Sequence, residues 1–390
     1  MTRDRLRSAL LRRNCVYAVL GLMLVTLPLI AKGESLYDFD EAIGRGVVDI
    51  NFNPKFERPL DAVVDHLAEL DPGVVNRFGF HFGGPDREFL ERQAALLGQI
   101  RARLPRSLMG AVFPQDVSKD YRVTLPCGPQ FGREYTAALM KAESVLPSAL
   151  QRFVMLDMSK VESQDYEICL GRIYVQQGFT FLQFEGIAGI IPHSGSRAAA
   201  LAGYERIRNA VKDYAETMGT RVYFSGDWQF ARDLRLEATY DPARFFHTTV
   251  PGWLRYQNRI SQPGVGNGYT YVLSPKIIAD RVAAVPPSTR VMFYIDNWDP
   301  EQDDLRRLME LEAENRRALI IRSAQNAAAG GAYFIPALYH CEGCGPRAQV
   351  VGDPCEILPN GKTQYDAYVC GDWPTIRQAL ETESRGWKRD

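Results

Sequence analysis

A series of polar residues closes short apolar runs in this chain: Asn51 and Asn53, His81, Gln115, Asp157, Glu185, Asp227, Asp296 and His340. Glu185 is the sharpest case. It ends FTFLQFE, residues 179–185, and a lone carboxylate is expensive to bury. GIAGIIPHSG follows it, so no helix starts at once for Glu185 to cap. In an extended strand Gln183 and Glu185 share a face, as do Ser225 and Asp227, and Tyr294 and Asp296. Tryptophans stand beside several of the acids, in Asp227-Trp228, Asp296-Asn297-Trp298 and Asp372-Trp373. Acid pairs and aromatic faces suit the cleavage of a glycosidic bond. One carboxyl protonates the leaving oxygen; the other attacks the anomeric carbon or activates water. Glu185, Asp296 and Asp227 are therefore the candidate acids. Trp228, Trp253 and Trp298 are candidate stacking surfaces. Asn51, His81, Gln115, Asp157, Gln183, Tyr294 and His340 are candidate substrate contacts.

Structural readings stand beside these. A strand-end aspartate often caps the next helix, which would account for Asp227 or Asp296. Asp157 could pair with a neighbouring arginine, and His81 and His340 could orient carboxylates or satisfy backbone groups. Other chemistries have less support. The five histidines are scattered, with neither an HxH pair on an early strand nor an HExxH helix. A metal-dependent hydrolase using His81, His340 and an aspartate stays open as an alternative. GxSxG, a P-loop and a dinucleotide fingerprint are all missing, so no cofactor and no metal is expected. Net charge is −1 and no basic run occurs past residue 32, which argues against nucleic acid as a partner.

The elements that must position these residues follow a rhythm. Apolar runs lie at 47–53, 75–82, 108–115, 152–159, 179–186, 221–228, 290–298 and 332–340. They are near-continuously apolar, as strands covered on both faces are. Helical patterns fill the gaps. The clearest has Leu201, Tyr204, Ile207, Val211, Tyr214 and Met218 in one stripe, with Ser196 as N-cap and Gly219 as stop. Strand–helix alternation eight times predicts an α/β fold, a (β/α)8 TIM-like barrel, whose strand C-terminal ends carry the active site. An open doubly wound sheet is the alternative, without the Gly-rich turn of its nucleotide-binding form. ARFFHTTV, 243–250, is a candidate ninth strand; it would displace 47–53 from the barrel or be a loop element. The stretch 229–288 is the longest irregular one, and such loops are usually functional.

Over roughly residues 45–340 the chain resembles the barrel-fold glycoside hydrolases, in architecture and in carboxylates at strand ends. Many of those enzymes place the acid/base on a glutamate ending a mid-barrel strand and its partner about three strands on. The resemblance implies Glu185 as general acid/base and Asp296 as nucleophile or base, with Asp227 competing. It implies a polysaccharide or other glycan substrate. A noncatalytic glycan-binding or envelope-assembly protein on a degenerate barrel is the second reading.

The N-terminus reads as an export signal. Five arginines within residues 1–14 precede an uncharged run at 15–31 and then Ala31-Lys32-Gly33. Residues 1–33 are expected to be a signal peptide or, uncleaved, a membrane anchor, which would be the only contact with a membrane. Export to the periplasm or beyond fits the even set of six later cysteines: Cys127, Cys169, Cys341, Cys344, Cys355 and Cys370. Four of them crowd the tail, where a Cys341–Cys344 zinc site is the alternative to disulfides. The expected organisation is a barrel over 34–340 and a disulfide-stapled extension over 341–390, with Cys127–Cys169 as a third bridge.

Overall fold

The computed structural model describes residues 39–50, 60–79, 81, 83–128, 131–142, 152–184, 187–191, 194–227, 248–250, 255–257, 269–271, 273–285, 289–294, 308, 311–341, 356–357, 363–368 and 370–386. For Asp227, Thr248, Tyr294 and His340 the description covers the backbone. Tyr37–Asp390 cluster as one compact unit.

The first part of the chain runs α1 (Phe39–Gly44), β1 (Val47–Ile50), α2 (Leu60–Leu70), β2 (Val74–Gly79), α3 (Arg87–Arg103) and β3 (Leu108–Phe113). An insertion follows with β4 (Asp116–Ser118), β5 (Arg122–Thr124), β6 (Glu134–Thr136), α4 (Ala137–Met140) and β7 (Phe153–Met155). Next come α5 (Val161–Gln177), β8 (Phe181–Phe184), α6 (Ile187–Ile190), α7 (Arg197–Thr217), β9 (Tyr223–Asp227) and β10 (Thr248–Val250). A ribbon of β11 (Arg255–Gln257) and β12 (Tyr269–Tyr271) precedes α8 (Pro275–Ala283), β13 (Arg290–Tyr294) and α9 (Ala313–Ala329). The chain ends with β14 (Tyr333–Ile335), β15 (Ala337–Cys341), β16 (Glu356–Ile357), β17 (Thr363–Asp366) and α10 (Trp373–Gly386).

This is a mixed α/β fold on a parallel sheet. The strand order is β14-β13-β10-β9-β8-β3-β2-β1-β15-β17-β16, and every pair from β14 to β15 in that order is parallel. The two ends of the parallel run, β14 and β15, are separated in sequence by Pro336 alone. Proline has no N–H for the ladder, which accounts for the break there. One stretch of chain, 333–341, thus has β13 as neighbour through Met292↔Tyr333 and β1 through Asp49↔Ala337.

Seven of the eight expected runs lie in this sheet. The run 152–159 does not: β7 pairs antiparallel with β4 in a separate ribbon. β3 and β8 pair directly, and the strand that makes up the number is β10, from the expected ninth strand, between β9 and β13. The connection decides this. Adjacent parallel strands need a long crossover, and α5 supplies it from β3 to β8, leaving the ribbon as an excursion above that crossover.

The helix ends are set locally. Asp86 accepts from Phe89 N at 2.7 Å to start α3, and Ser196 accepts from Ala199 N at 3.3 Å to start α7. Gly219, just past α7, is left-handed at φ +69. Of the stripe expected on α7, Leu201, Tyr204, Ile207 and Val211 are buried, while Met218 is exposed.

The sheet has two apolar faces. One packs on the long helices through Val48, Ile50, Met109, Leu182 and Phe224. The other gathers Val47, Val74, Leu108, Phe181, Tyr223, Met292, Tyr333 and Ile335 with Ala42 and Ile43 of α1. Seven strands contribute to that second cluster, and Phe39 of α1 stacks on Tyr223 at 4.6 Å.

Covalent and ionic ties complete the body. Cys127–Cys169 is a disulfide joining the insertion to α5, with Cα atoms 5.3 Å apart. This is the third bridge expected from the sequence; it is internal and no part of the C-terminal segment. In that segment Cys370 is also disulfide-bonded, which removes it as a thiolate ligand. Asp372, fully buried, accepts from Arg316 Nη2 at 3.2 Å, Arg317 Nε at 3.1 Å and the Tyr365 hydroxyl at 3.1 Å. Trp373 is buried beside His66 of α2. The Asp372-Trp373 pair therefore fixes α10 against α9 and α2 and presents no acid to a ligand. Among the described residues no helix is long and apolar enough to cross a membrane; the run 15–31 lies outside them.

Candidate functional site

In a parallel sheet all strand C-terminal ends fall on one edge, and ligands bind there. Alternation then ranks side chains by depth below that edge. The apolar cluster on the second face holds Val47, Val74, Phe181 and Tyr223. Two residues further along the same strands, on the same face, stand Asp49, Asn76, Gln183 and Ser225. Each of the four is at most 3 % exposed. A polar layer thus overlies the apolar one, beneath the strand ends.

Asp49 accepts from Arg77 Nε at 2.9 Å and forms an ion pair with Arg77 Nη2; Asn76 Nδ2 donates to Asp49 Oδ1 at 3.4 Å. Arg77 has φ +52, a left-handed conformation unusual for a residue with a Cβ. A bulge produces it. Val75 pairs with Met109 and Gly79 with Ala111, so β2 spends four residues where β3 spends two. Gly110 is what lets β3 pass: a Cβ there would meet Asn76 Cα at 2.9 Å. Non-glycine strain of this kind gathers at functional sites.

On the other side of β3, Gln183 and Ser225 are register partners on adjacent strands. Among the described residues, Asn76 Oδ1, Gln183 Oε1 and Ser225 Oγ are buried with no hydrogen-bond partner. Buried polar atoms are nearly always paired, so three together on one face ask for a cause.

The residues expected from sequence fall in several places. Gln183 belongs to this layer. Asp227 ends β9, opposite Val250 of β10. Tyr294 ends β13 and His340 lies in β15. His81, half-buried, follows β2 with its ring edge-on to Phe89 at 4.6 Å. Gln115, half-buried, follows β3; next to it Asp116 is buried and its carboxyl is pushed up to about 6 by desolvation, against a backbone hydrogen bond and the Arg152 charge. Asn51, Glu185, Trp228, Trp253, Asp296 and Trp298 lie outside the described residues. Among the described residues no three His, Cys, Asp or Glu side chains group as metal ligands.

Asp157 sits apart, on the β7 excursion. Its Oδ1 accepts from Ser159 N at 2.9 Å, Ser159 Oγ at 2.6 Å and Gly195 N at 3.4 Å. It ties the insertion to the segment that follows β8. Asp157→Ala is expected to lower stability by about 1–2 kcal/mol and to speed protease cutting near 194–196. Unchanged cutting would show that this tie does not hold the segment.

Asp49, Asn76 and Arg77 were missed in the sequence. The argument that marks Glu185, an acid closing an apolar run, applies equally to Asp49 inside VVDI.

No family model matches the chain, and no curated protein does. Solved structures do resemble it. Amy13B of Eubacterium rectale aligns at 9% identity over 87% of this chain and 78% of its own, with a TM-score of 0.51. The cyclic α-maltosyl-(1→6)-maltose hydrolase of Arthrobacter globiformis aligns at 11% identity over 89% and 83%, TM-score 0.49. The glycoside hydrolase domain of PelA from Pseudomonas aeruginosa aligns at 10% identity over 75% and 93%, TM-score 0.41. At such identities the likeness is one of fold.

Proposed function

We propose that this chain is an exported glycoside hydrolase acting on an envelope or extracellular polysaccharide. The observation that carries the reading is the polar layer of Asp49, Asn76, Gln183 and Ser225, buried near the strand ends, with three polar atoms that have no partner among the described residues. The reading takes the sheet as a (β/α)8 barrel closed by the single stretch 333–341, since that stretch has β13 on one side and β1 on the other. Glu185, one residue past β8 and two past Gln183 in sequence, serves as general acid/base on this reading. Asp296, two residues past β13, is nucleophile or base, with Asp227 at the end of β9 as its competitor. Trp228, Trp253 and Trp298 stack on sugar rings. The fold likeness to Amy13B of Eubacterium rectale supports the fold on which this reading rests. Export by residues 1–33 is supported by the Cys127–Cys169 disulfide, since such bonds persist in oxidising compartments.

The test is hydrolysis of a panel of envelope and extracellular polysaccharides by wild type and Glu185→Gln. The amide keeps the shape of Glu185 and cannot transfer its proton. Wild type should release reducing ends, and the variant should lose at least about 10²-fold in rate with unchanged melting. Near-wild-type rates in the variant would remove Glu185 from the chemistry. Binding without turnover in wild type would make the chain a glycan-binding protein.

A further inference from the structure

We infer that the insertion built from β4, β5, β6, α4 and β7 is a pH-gated cap on the strand-end edge, with Glu167 of α5 as its latch. This goes beyond the glycan reading and does not depend on it. The insertion is seated across neighbouring strand ends. In the loop after β2, Ser118 N donates to Gly83 O at 2.9 Å and the Tyr121 hydroxyl to Pro85 O at 2.7 Å. Just past β3, Leu156 N donates to Gln115 O at 3.1 Å. In the segment after β8, Gly195 N donates to Asp157 Oδ1 at 3.4 Å. β2, β3 and β8 are adjacent in the sheet, so one excursion bridges the C-terminal ends of three strands in a row.

Glu167 stands at the joint between that insertion and the sheet. Ser163, Glu167, Gly171 and Tyr174 share one face of α5 by helical spacing. Ser163 Oγ donates to Met140 O of the insertion at 2.9 Å. A Cβ on Gly171 would meet Phe113, the last residue of β3, at 3.0 Å, and the Tyr174 hydroxyl donates to Val112 O at 3.2 Å. Glu167 lies one turn from Ser163 and one from Gly171. Its carboxyl is buried, and among the described residues neither oxygen has a partner. The insertion brings the Tyr121 phenol to it, α5 brings Tyr166 and Tyr174, and the start of α3 adds the like charge of Asp86 beside Tyr121. Arg133 of the insertion and Arg206 of α7 are both engaged by Asp165, at 2.7 and 2.5 Å. Asp116 of β4 feels the Arg152 charge.

Protonated, the Glu167 carboxyl is tolerated there; ionised, it needs water. Tyr166 and Tyr174 are fully buried, whereas Tyr121 is half-buried, with its hydroxyl 3.0 Å from that of Tyr166. Lifting Tyr121 is the least costly route for water to Glu167, and it draws β4 and β5 off the loop after β2. The closed cap keeps the proton at pH values where the open one has released it. Opening therefore releases a proton and grows more favourable as pH rises above the ordinary 4.5, by up to about tenfold per pH unit, until the raised value of the closed form is reached. Cys127–Cys169 ties the insertion to α5 throughout, so the cap swings without leaving.

That disulfide is also the probe, since Cys127 is 6 % and Cys169 0 % exposed in the closed form. The experiment uses the purified full chain as wild type, Glu167→Gln, Tyr121→Phe and Asp116→Asn. Reduction of Cys127–Cys169 by tris(2-carboxyethyl)phosphine is timed between pH 5 and pH 8, with the thiols located by alkylation and each rate divided by that for oxidised glutathione at the same pH. Hydrogen exchange of β3 and β8 is followed alongside. Wild type should be reduced at least about tenfold faster at pH 8 than at pH 5 while β3 and β8 stay protected. Glu167→Gln, which cannot titrate, should lose that rise, and Asp116→Asn should keep it. Tyr121→Phe, without its bond to Pro85, should be reduced about five- to tenfold faster than wild type at pH 5. A flat profile in wild type, a rise that survives in Glu167→Gln or one that vanishes in Asp116→Asn removes Glu167 as the latch. A wild-type rate in Tyr121→Phe removes Tyr121 as the point that lifts. Equal loss of protection in β3 and β8 would mean that the whole chain opens, and there would be no separate cap. None of these outcomes touches the glycan reading, because no sugar is used.

Discussion

Arg77→Met is expected to destabilise the fold by about 3–5 kcal/mol, because it strands the Asp49 carboxylate in the interior without its cation. The two side chains are 3 % and 1 % exposed, so solvent offers Asp49 little in exchange. Asn76 Nδ2, at 3.4 Å, is a poor substitute for the guanidinium. Pairing Arg77→Met with Asp49→Leu should recover most of the loss, since what is costly is a buried carboxylate that has lost its cation and not the absence of the pair. Backbone strain gives a second, independent reading at the same position. Arg77 stands at φ +52, where a residue with a Cβ gives up roughly 1–2 kcal/mol. Arg77→Gly should therefore be less damaging than Arg77→Met by about 1 kcal/mol. Urea denaturation of the three variants and wild type measures both effects. A loss under about 1 kcal/mol for Arg77→Met would mean that the pair is solvated and not a buried one.

That pair shows where sequence reading runs out. Asp49 and Arg77 are separated by a helix in the chain, and each alone looks like a charge intruding on an apolar run. Register brings them together: Asp49 pairs with Asn76, and the bulge in β2 turns the next residue toward the same carboxylate. No local pattern announces a bulge. By contrast, what depends on neighbours in sequence was legible. The near-continuous apolar runs identify strands with an apolar environment on each face, and both environments are present. Ser196 and Gly219 mark the ends of α7 because capping is a matter of a few residues.

The exchange of 152–159 for 243–250 has a similar origin. RFVMLDMS is more apolar than ARFFHTTV, and by composition it is the better strand. Composition does not say which partner a strand finds. RFVMLDMS meets β4 in a ribbon because α5, directly after it, is already the crossover to β8. Of the site, alternation put Gln183 on a face with Glu185 and Ser225 on a face with Asp227; that Gln183 and Ser225 are partners across adjacent strands is a matter of register, which the period of two does not give. Their isolation from hydrogen-bond partners is a property of three dimensions and had no signature in the sequence.

Glu167→Met should stabilise the protein at pH 7 by about 1–3 kcal/mol, and the gain should shrink as pH falls toward 4. Glu167 lies midway along α5 with 1 % exposure, and among the described residues neither carboxyl oxygen has a hydrogen-bond partner. The phenols of Tyr121, Tyr166 and Tyr174 are close enough to feel its charge. Desolvation holds its carboxyl well above the ordinary 4.5. The folded chain therefore keeps the proton at pH values where the unfolded chain has released it. Over that range the unfolded state binds fewer protons, so stability falls as pH rises, and the penalty is absent below the ordinary value. The tyrosines do not reverse this, because burial pushes their own ionisation upward and leaves them neutral. Methionine fills a similar volume and carries neither the proton nor the lone polar oxygens. Glu167→Gln separates the two contributions: it cannot titrate but still buries an unpartnered amide, so its advantage should depend on pH as methionine's does and be smaller at every pH. Urea midpoints at pH 4 and pH 7 for wild type and both variants give the comparison. An advantage of equal size at both pH values would show that Glu167 titrates alike in the folded and unfolded chains, against the burial that surrounds it.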